Sequence, residues 1–407
     1  MPFNLLRILS HGILLLLIAY PAGCVGRGRQ SGEPPMIRVR LAAAADSVTI
    51  QSSEPATVEF DYQKPMPIRL DSGPAVVTRS GGQWRIGSAV LDGGAWTLRP
   101  SPGGVISLDG VPFRGVFRFL PSGPNQMEVV NHVDAESYLQ GVLPRELYRD
   151  WTDEAYRAQA IAARTYALYE ARSQGAARHY DVFADVRSQV YGGLQAETAK
   201  ANEAVAATRG IVAAFGPPGK EKIFKAYFSA CCGGVGQNVR DSFHERSIPP
   251  LDEKNVRGLC SISPRFTWPD VAISKSELTR RIQAWAAGRN HPIGRIQMLD
   301  RIEIEATNRF GRPTRFLLTD ITGQRYSLGV EETRWACNAD RGEGPYLLSG
   351  FFKPVNQTDR IVFTEGRGSG HGVGMCQWCV EALGRRGVPA EEIVRFSYPG
   401  AVLVKAY

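Results

Sequence analysis

Glu146 is the residue whose type and setting best suit chemistry. It stands in Pro144-Arg145-Glu146, just ahead of a strongly helical stretch, where a proline-shaped corner turns a side chain toward a groove rather than a core. A single carboxylate held there can act as general acid and base, although the plain reading of an arbitrary glutamate is a solvated surface charge. The second candidate is the run Gly366-Arg367-Gly368-Ser369-Gly370-His371-Gly372-Val373-Gly374. Alternating glycines suit neither a helix nor a strand interior, so such a run either approaches a ligand closely or turns sharply. It lacks the Lys-Ser/Thr pair of a phosphate-binding loop, and no strand-turn-helix setting makes it a dinucleotide fingerprint. His371 within it has two readings, ligand contact or hydrogen-bonded structural residue. The third candidate is Ser229 to Gly234, an apolar run meeting a Gly-Gly turn.

The elements that position these residues follow from caps and periodicity. Thr152 is an N-cap for a helix whose first turn carries Asp153 and Glu154, and Gly175 can close its far end. Ala155, Ala158, Ala162, Thr165 and Tyr169 form one stripe of mostly small side chains, a surface that lets another backbone come close. Residues 196–208 read as a second helix closed by Gly210, followed by a strand at 211–215. Ser274 and Glu277 form a capping box for a helix to Ala287. Strands are expected at 302–306, 315–319 and 360–363, a helix at 375–386, and a last helix opened by Pro389. Upstream, Ile37, Val39 and Leu41 alternate with Arg38 and Arg40, and short strands separated by Gly-rich turns continue to residue 125. The fold class is therefore α+β: an all-β module over 36–125 and a mixed α/β main domain over 126–407.

The chain has 407 residues, 43% of them hydrophobic and 22% charged, with a net charge of +8. The basic excess is spread along the chain without a Lys/Arg block or a nucleic-acid motif, which suits an anionic polymer and gives no reason to expect nucleic acid. Arg7 precedes a mostly apolar run from Ile8 to Tyr20, too short to span a bilayer, and then Pro21-Ala22-Gly23-Cys24. Residues 1–23 read as a secretory signal of lipoprotein type, with Cys24 as the lipidated first residue and 24–35 as a flexible tether. Pro21 departs from the usual aliphatic residue, so cleavage without lipidation stays open. Export leaves Cys231, Cys232, Cys260, Cys337, Cys376 and Cys379, an even number that suits disulfides, while the adjacent pair and the Cys376-x-x-Cys379 pair could instead supply zinc thiolates.

Several segments, in order, resemble one family: YLQGVLPREL, EAYRAQAIAARTYAL, SQVYGG, AVAATRGIV, YFSACCGG, GRGSGHGVGMCQW and the closing FSYPGAVLVKAY. They resemble the stage II sporulation protein D family, which also contains amidase-enhancer proteins. The resemblance implies a peptidoglycan lytic transglycosylase that cleaves between N-acetylmuramic acid and N-acetylglucosamine of peptide-stripped strands, giving 1,6-anhydro products. It puts Glu146 at the single acid/base position. Burial among Leu143, Leu147 and Trp151 would raise its pKa, and Arg145 must then point elsewhere. Arg164 and Arg367 become partners for the lactyl carboxylate of muramic acid, and Gln159, Tyr166, Gln189, Tyr191, Ser229 and His371 become groove-lining residues. No cofactor is required. Zinc, which some family members carry through Cys and His, has candidates here in Cys232, Cys260 and Cys376. Ser369, Cys231 and Cys379 depart from the family's usual Trp, Ser/Thr and Gly. The alternative implied is a glycan-binding module that enhances a cell-wall amidase without chemistry of its own. A thiol hydrolase built from Cys231 or Cys232 with His371 lacks a third orienting group. The expected partners are glycan strands, a wall amidase, and the membrane through the lipid anchor. The expected location is the periplasmic or wall face.

Overall fold

A computed structural model describes residues 32–61, 64–68, 70, 73–174 and 178–407. The expected leader, Cys24, most of the tether and Gly175 lie outside them. The chain is α+β. A seven-stranded sheet runs in the order Val182–Phe183, Met36–Ala45, Met127–Asp134, Val116–Pro121, Trp96–Pro100, Ala56–Phe60 and Met66–Ile68. A six-stranded sheet built around Ser47–Ser52 and Ala75–Ser80 completes the β region. Apolar residues alternate inward, as period 2 requires, and Trp96 stacks on Phe119 at 4.0 Å with Trp84 edge-on at 5.7 Å. Met127–Asp134 lies between Met36–Ala45 and Val116–Pro121, so the sheet runs on across residue 125. One apolar core joins the β region to the helices, drawing on Ile37 to Leu251 and again on Val373 to Tyr407.

Helix α1 is Ala135–Glu146, and here the expected corner is corrected. Asp134 caps the helix by accepting from the N–H groups of Glu136 and Ser137, both at 3.0 Å. Tyr138, Leu139, Val142 and Leu143 fall on one stripe and are buried. Pro144 sits in the last turn, where its missing N–H and ring bring the helix to an end, and Glu146 is the final helical residue. Helix α2, Asp153–Gln174, begins at Thr152, whose Oγ1 accepts from Ala155 N at 3.3 Å. Its packing goes beyond one stripe: Ala155, Ala158, Ala160, Ile161, Ala163 and Leu168 are all at most 1% exposed, so the helix runs through the middle of the main core. Small side chains are what allow sheet and helices to approach it from every side.

A second apolar core gathers Trp268, Trp285, Phe316, Leu328, Phe352 and Phe363. It contains the helix Lys275–Ala286, capped by Ser274, and the antiparallel strands Leu299–Thr307, Pro313–Asp320 and Arg325–Gly329. The helix Val330–Asn338, which periodicity had not marked, also packs there. This unit is inserted between two short strands of the main domain, Phe228–Ser229 and Met375–Cys376, which pair in parallel with each other.

Candidate functional site

The insertion and the main domain face each other across a cleft of about 750 Å³. The main domain contributes Glu146, Tyr166, Lys225, Tyr227, Ser229, Ser369, His371 and Gln377, and the insertion contributes Glu331, Arg334, Trp335 and Tyr346. A hollow of comparable volume, about 700 Å³, lies between Asn255–Leu259 and Leu383, Arg386 and Phe396, but no carboxylate lines it.

Glu146 reaches the cleft from the last turn of α1. Val190 N donates to its Oε1 at 3.1 Å, and Gln377 Nε2 donates to its Oε2 at 3.3 Å. Burial raises its pKa above the usual carboxylate value, while the two donors, which favour the charged form, work against the rise. Arg145 does not reach it: its guanidinium Nε lies 2.6 Å from where a Cβ on Gly192 would stand, so a side chain at 192 would displace it. Glu331, the other carboxylate in the cleft, is tied by Oε2 to Arg334 Nε at 2.9 Å.

His371 is held by backbone on both sides. Its Nε2 lies 2.9 Å from the Phe228 carbonyl and its Nδ1 accepts from Val373 N at 3.0 Å. That pairing makes it a neutral imidazole donating through Nε2, and burial pulls its pKa down to about 4. Ser229 Oγ accepts from Gly372 N at 3.1 Å. Together these contacts sew the Gly-rich loop to the strand end at Ser229. Gly368 is required there, because a Cβ would stand 2.6 Å from the Cys231 carbonyl.

Of the residues expected to line the groove, Tyr166, Ser229 and His371 do so, and five do not. Arg164 is fully buried behind α1, where its Nε and Nη2 bond Glu136 at 3.0 and 2.7 Å and Nη1 donates to the Ile211 carbonyl at 3.0 Å. Gln159 is fully buried, with neither amide atom hydrogen-bonded. Gln189 is buried and accepts from the Tyr138 hydroxyl at 3.0 Å. Tyr191 faces the β region, its hydroxyl donating to Asn131 Oδ1 at 3.2 Å. Arg367 is exposed but turns outside the cleft, over Phe351 at 5.6 Å. The four buried residues share one physical reason: motif residues next to a site can pack its supports instead of lining it.

Gln377, Lys225, Trp335 and Tyr346 are among the cleft residues that sequence reasoning missed, with Tyr227, Glu331 and Arg334. Gln377 follows Cys376 within the matched GRGSGHGVGMCQW segment and was legible there as a polar residue at a helix start. Lys225 pairs with Glu170 at 3.1 Å and Glu245 at 3.6 Å and lies over the Tyr227 ring at 4.9 Å. Trp335 and Tyr346 are each 42% exposed, and only the tertiary arrangement brings them opposite Ser369. Elsewhere, all six cysteines among the described residues are free thiols, so the disulfide expectation is not met. The sulfurs of Cys232, Cys260, Cys376 and Cys379 all lie within 4.8 Å of one another, while Cys337 sits in the insertion core.

Residues 124–215 match the family described as stage II sporulation protein, SpoIID, which takes in α1, α2 and the strand after them. An uncharacterised protein of Brachyspira hyodysenteriae is 29% identical over 300 residues, covering 73% of this chain and 74% of that protein. The amidase enhancer of Bacillus subtilis is 23% identical over 329 residues, 73% of this chain but 45% of the enhancer, so the chain spans less than half of that relative. Stage II sporulation protein D of the same organism is 23% identical over 291 residues, 68% of this chain and 76% of that protein.

Proposed function

Because the chain belongs to the SpoIID/amidase-enhancer family, we propose that it is a lytic transglycosylase of peptidoglycan with Glu146 as its acid and base. The observation that carries this reading is a carboxylate of raised pKa at the cleft wall, while the second carboxylate there is tied to Arg334. Hydrolytic glycosidases use two carboxyl groups, one for the leaving oxygen and one for water or the nucleophile. A lytic enzyme needs one. Glu146 gives its proton to the glycosidic oxygen as the bond to muramic acid C1 breaks. The sugar's own 6-hydroxyl then attacks C1 and returns a proton to Glu146, so the proton count closes without water. Gln377 suits both states of the acid, since an amide can donate to the carboxylate and, turned over, accept from the protonated form. Arg164 and Arg367 stand outside the cleft; the cations that line it are Lys225 and Arg334, each already paired with a carboxylate that a lactyl carboxylate would have to share.

Glu146→Gln keeps the shape of the site and is expected to abolish 1,6-anhydro products from peptide-stripped strands, read by mass spectrometry. Glu331→Gln is expected to keep those products. A folded Glu146→Gln protein that releases them undiminished would overturn the reading. An amidase-stimulating module predicts instead no anhydro products from the unaltered protein and full stimulation by Glu146→Gln; the name of the amidase-enhancer relative keeps that partner in view. Export and lipidation at Cys24 belong to the same proposal, and Cys24→Ser would then leave the membrane fraction.

A further inference from the structure

We propose that Cys232, Cys260, Cys376 and Cys379 bind one zinc ion as a closed tetrathiolate that fixes the back wall of the cleft. A tetrahedral zinc site with bonds of about 2.3 Å holds its sulfurs about 3.8 Å apart. Cys232 and Cys260 stand at 3.6 Å, and all four sulfurs fall within 4.8 Å of one another, a convergence that two separate disulfides would not need. The four residues are at most 5% exposed, which leaves no open ligand position and marks a structural site rather than a catalytic one. The backbone around them is shaped for sulfur ligation. Cys232 N donates to Cys376 Sγ at 3.3 Å, and Cys376 caps the helix Gln377–Gly384, whose N-terminal N–H groups favour negative charge.

Charge gives an independent argument. Four thiols that take up one Zn²⁺ release four protons and leave a centre of net charge −2. Two cations meet it. Arg312, 1% exposed, donates to the carbonyls of Cys232, Val235 and His371 at 2.9, 2.7 and 3.1 Å and pairs with no carboxylate among the described residues. Lys254, two residues before Val256 of the same thiol cluster, also donates to a carbonyl, that of Ser397. Neutral thiols or disulfides would leave the buried Arg312 guanidinium with only carbonyls as hydrogen-bond partners, a costly arrangement that a thiolate centre relieves.

The site would join the pieces that build the cleft. Cys232 lies three residues after Ser229, and Cys376 directly precedes Gln377, the donor to Glu146. Cys231 and Ser369 exchange two backbone hydrogen bonds, at 3.0 and 2.8 Å, which couples the same strand end to the Gly-rich loop.

Elemental analysis of the full chain, purified without chelator, is expected to find one zinc per chain. Cobalt replacing the zinc should give the intense ligand-field bands of a tetrahedral thiolate site. Titration with a mercurial should release the metal as four thiols react. Cys376→Ser and Cys379→Ser should each lose the zinc, whereas Cys231→Ala and Cys337→Ala should keep one equivalent. Should the ligand variants not fold, the cobalt spectrum and thiol titration of the unaltered chain decide alone. Zinc-free protein with disulfides among these four cysteines, iron in place of zinc, or full zinc in Cys379→Ser would each overturn the assignment, and none of these readouts depends on activity.

Discussion

Arg164→Met separates support from substrate binding, because Arg164 sits in a segment that resembles the family yet lies buried against Glu136, off the cleft wall. Its guanidinium holds both oxygens of Glu136 and the Ile211 carbonyl, and Glu136 also accepts from Gly210 N at 3.1 Å and from the Tyr407 hydroxyl. Arginine and glutamate side chains here are 0% and 8% exposed, so solvent cannot replace the lost partner. Methionine keeps the apolar stem and leaves Glu136 as a buried carboxylate with neutral donors only. Removing one partner of such a pair costs about 3–5 kcal/mol. Adding Glu136→Gln removes the stranded charge, so the double variant should be more stable than the sum of the two single effects predicts, by at least about 1 kcal/mol. Urea unfolding followed by tryptophan fluorescence measures this. Trp151 reports the main core and Trp268 and Trp285 the insertion core, so a main-core transition should move while the other stays. An Arg164→Met protein of unchanged stability that no longer binds peptide-stripped glycan would refute the assignment and restore Arg164 as a ligand for the substrate.

Trp335→Ala tests whether the insertion supplies the stacking surface that Ser369 does not. An aromatic contact of about 0.5–1.5 kcal/mol predicts glycan binding weakened by about 2- to 10-fold, with KM rising more than kcat falls. The pH dependence of stability tests His371. Its folded pKa of about 4 lies below the ordinary 6.5, so the unfolded chain binds the extra proton first. Stability is then fully present above about pH 6.5 and is lost as pH falls from 6.5 toward 4, and His371→Gln should flatten that part of the profile.

Much of the scaffold was legible from local chemistry. Thr152 and Ser274 cap helices as their side chains allow, accepting from backbone N–H groups at 3.3 and 3.2 Å. Period-2 alternation marked the strand at Ile37 and Val39. Glu146 stands out through its neighbours, but the Asp134 cap makes the stretch leading to it a helix where Pro144 by itself suggests a corner. What stayed hidden depends on distance along the chain. Whether Arg164 or Gln189 faces solvent is decided by what packs over α2, and spacing within a motif is the same in either case. Trp335 joins Glu146 only because the insertion folds back, and of four thiols that converge from three separate segments only the Cys376-x-x-Cys379 pair has a telling spacing. Side-chain type is local information, whereas burial is not.

The parallel pairing of Phe228–Ser229 with Met375–Cys376 has a consequence for how the cleft forms. Closing a loop of roughly 145 residues as random chain would cost about 5 kcal/mol in chain entropy, far more than two short strands return. An insertion that has already condensed around Phe316 and Phe352 presents its two ends as neighbours and removes most of that cost. Pairing the two strands after the insertion has condensed is therefore the less costly order of events. A weakened insertion core would open the ground beneath Ser229 and Gln377 without touching a residue of the cleft.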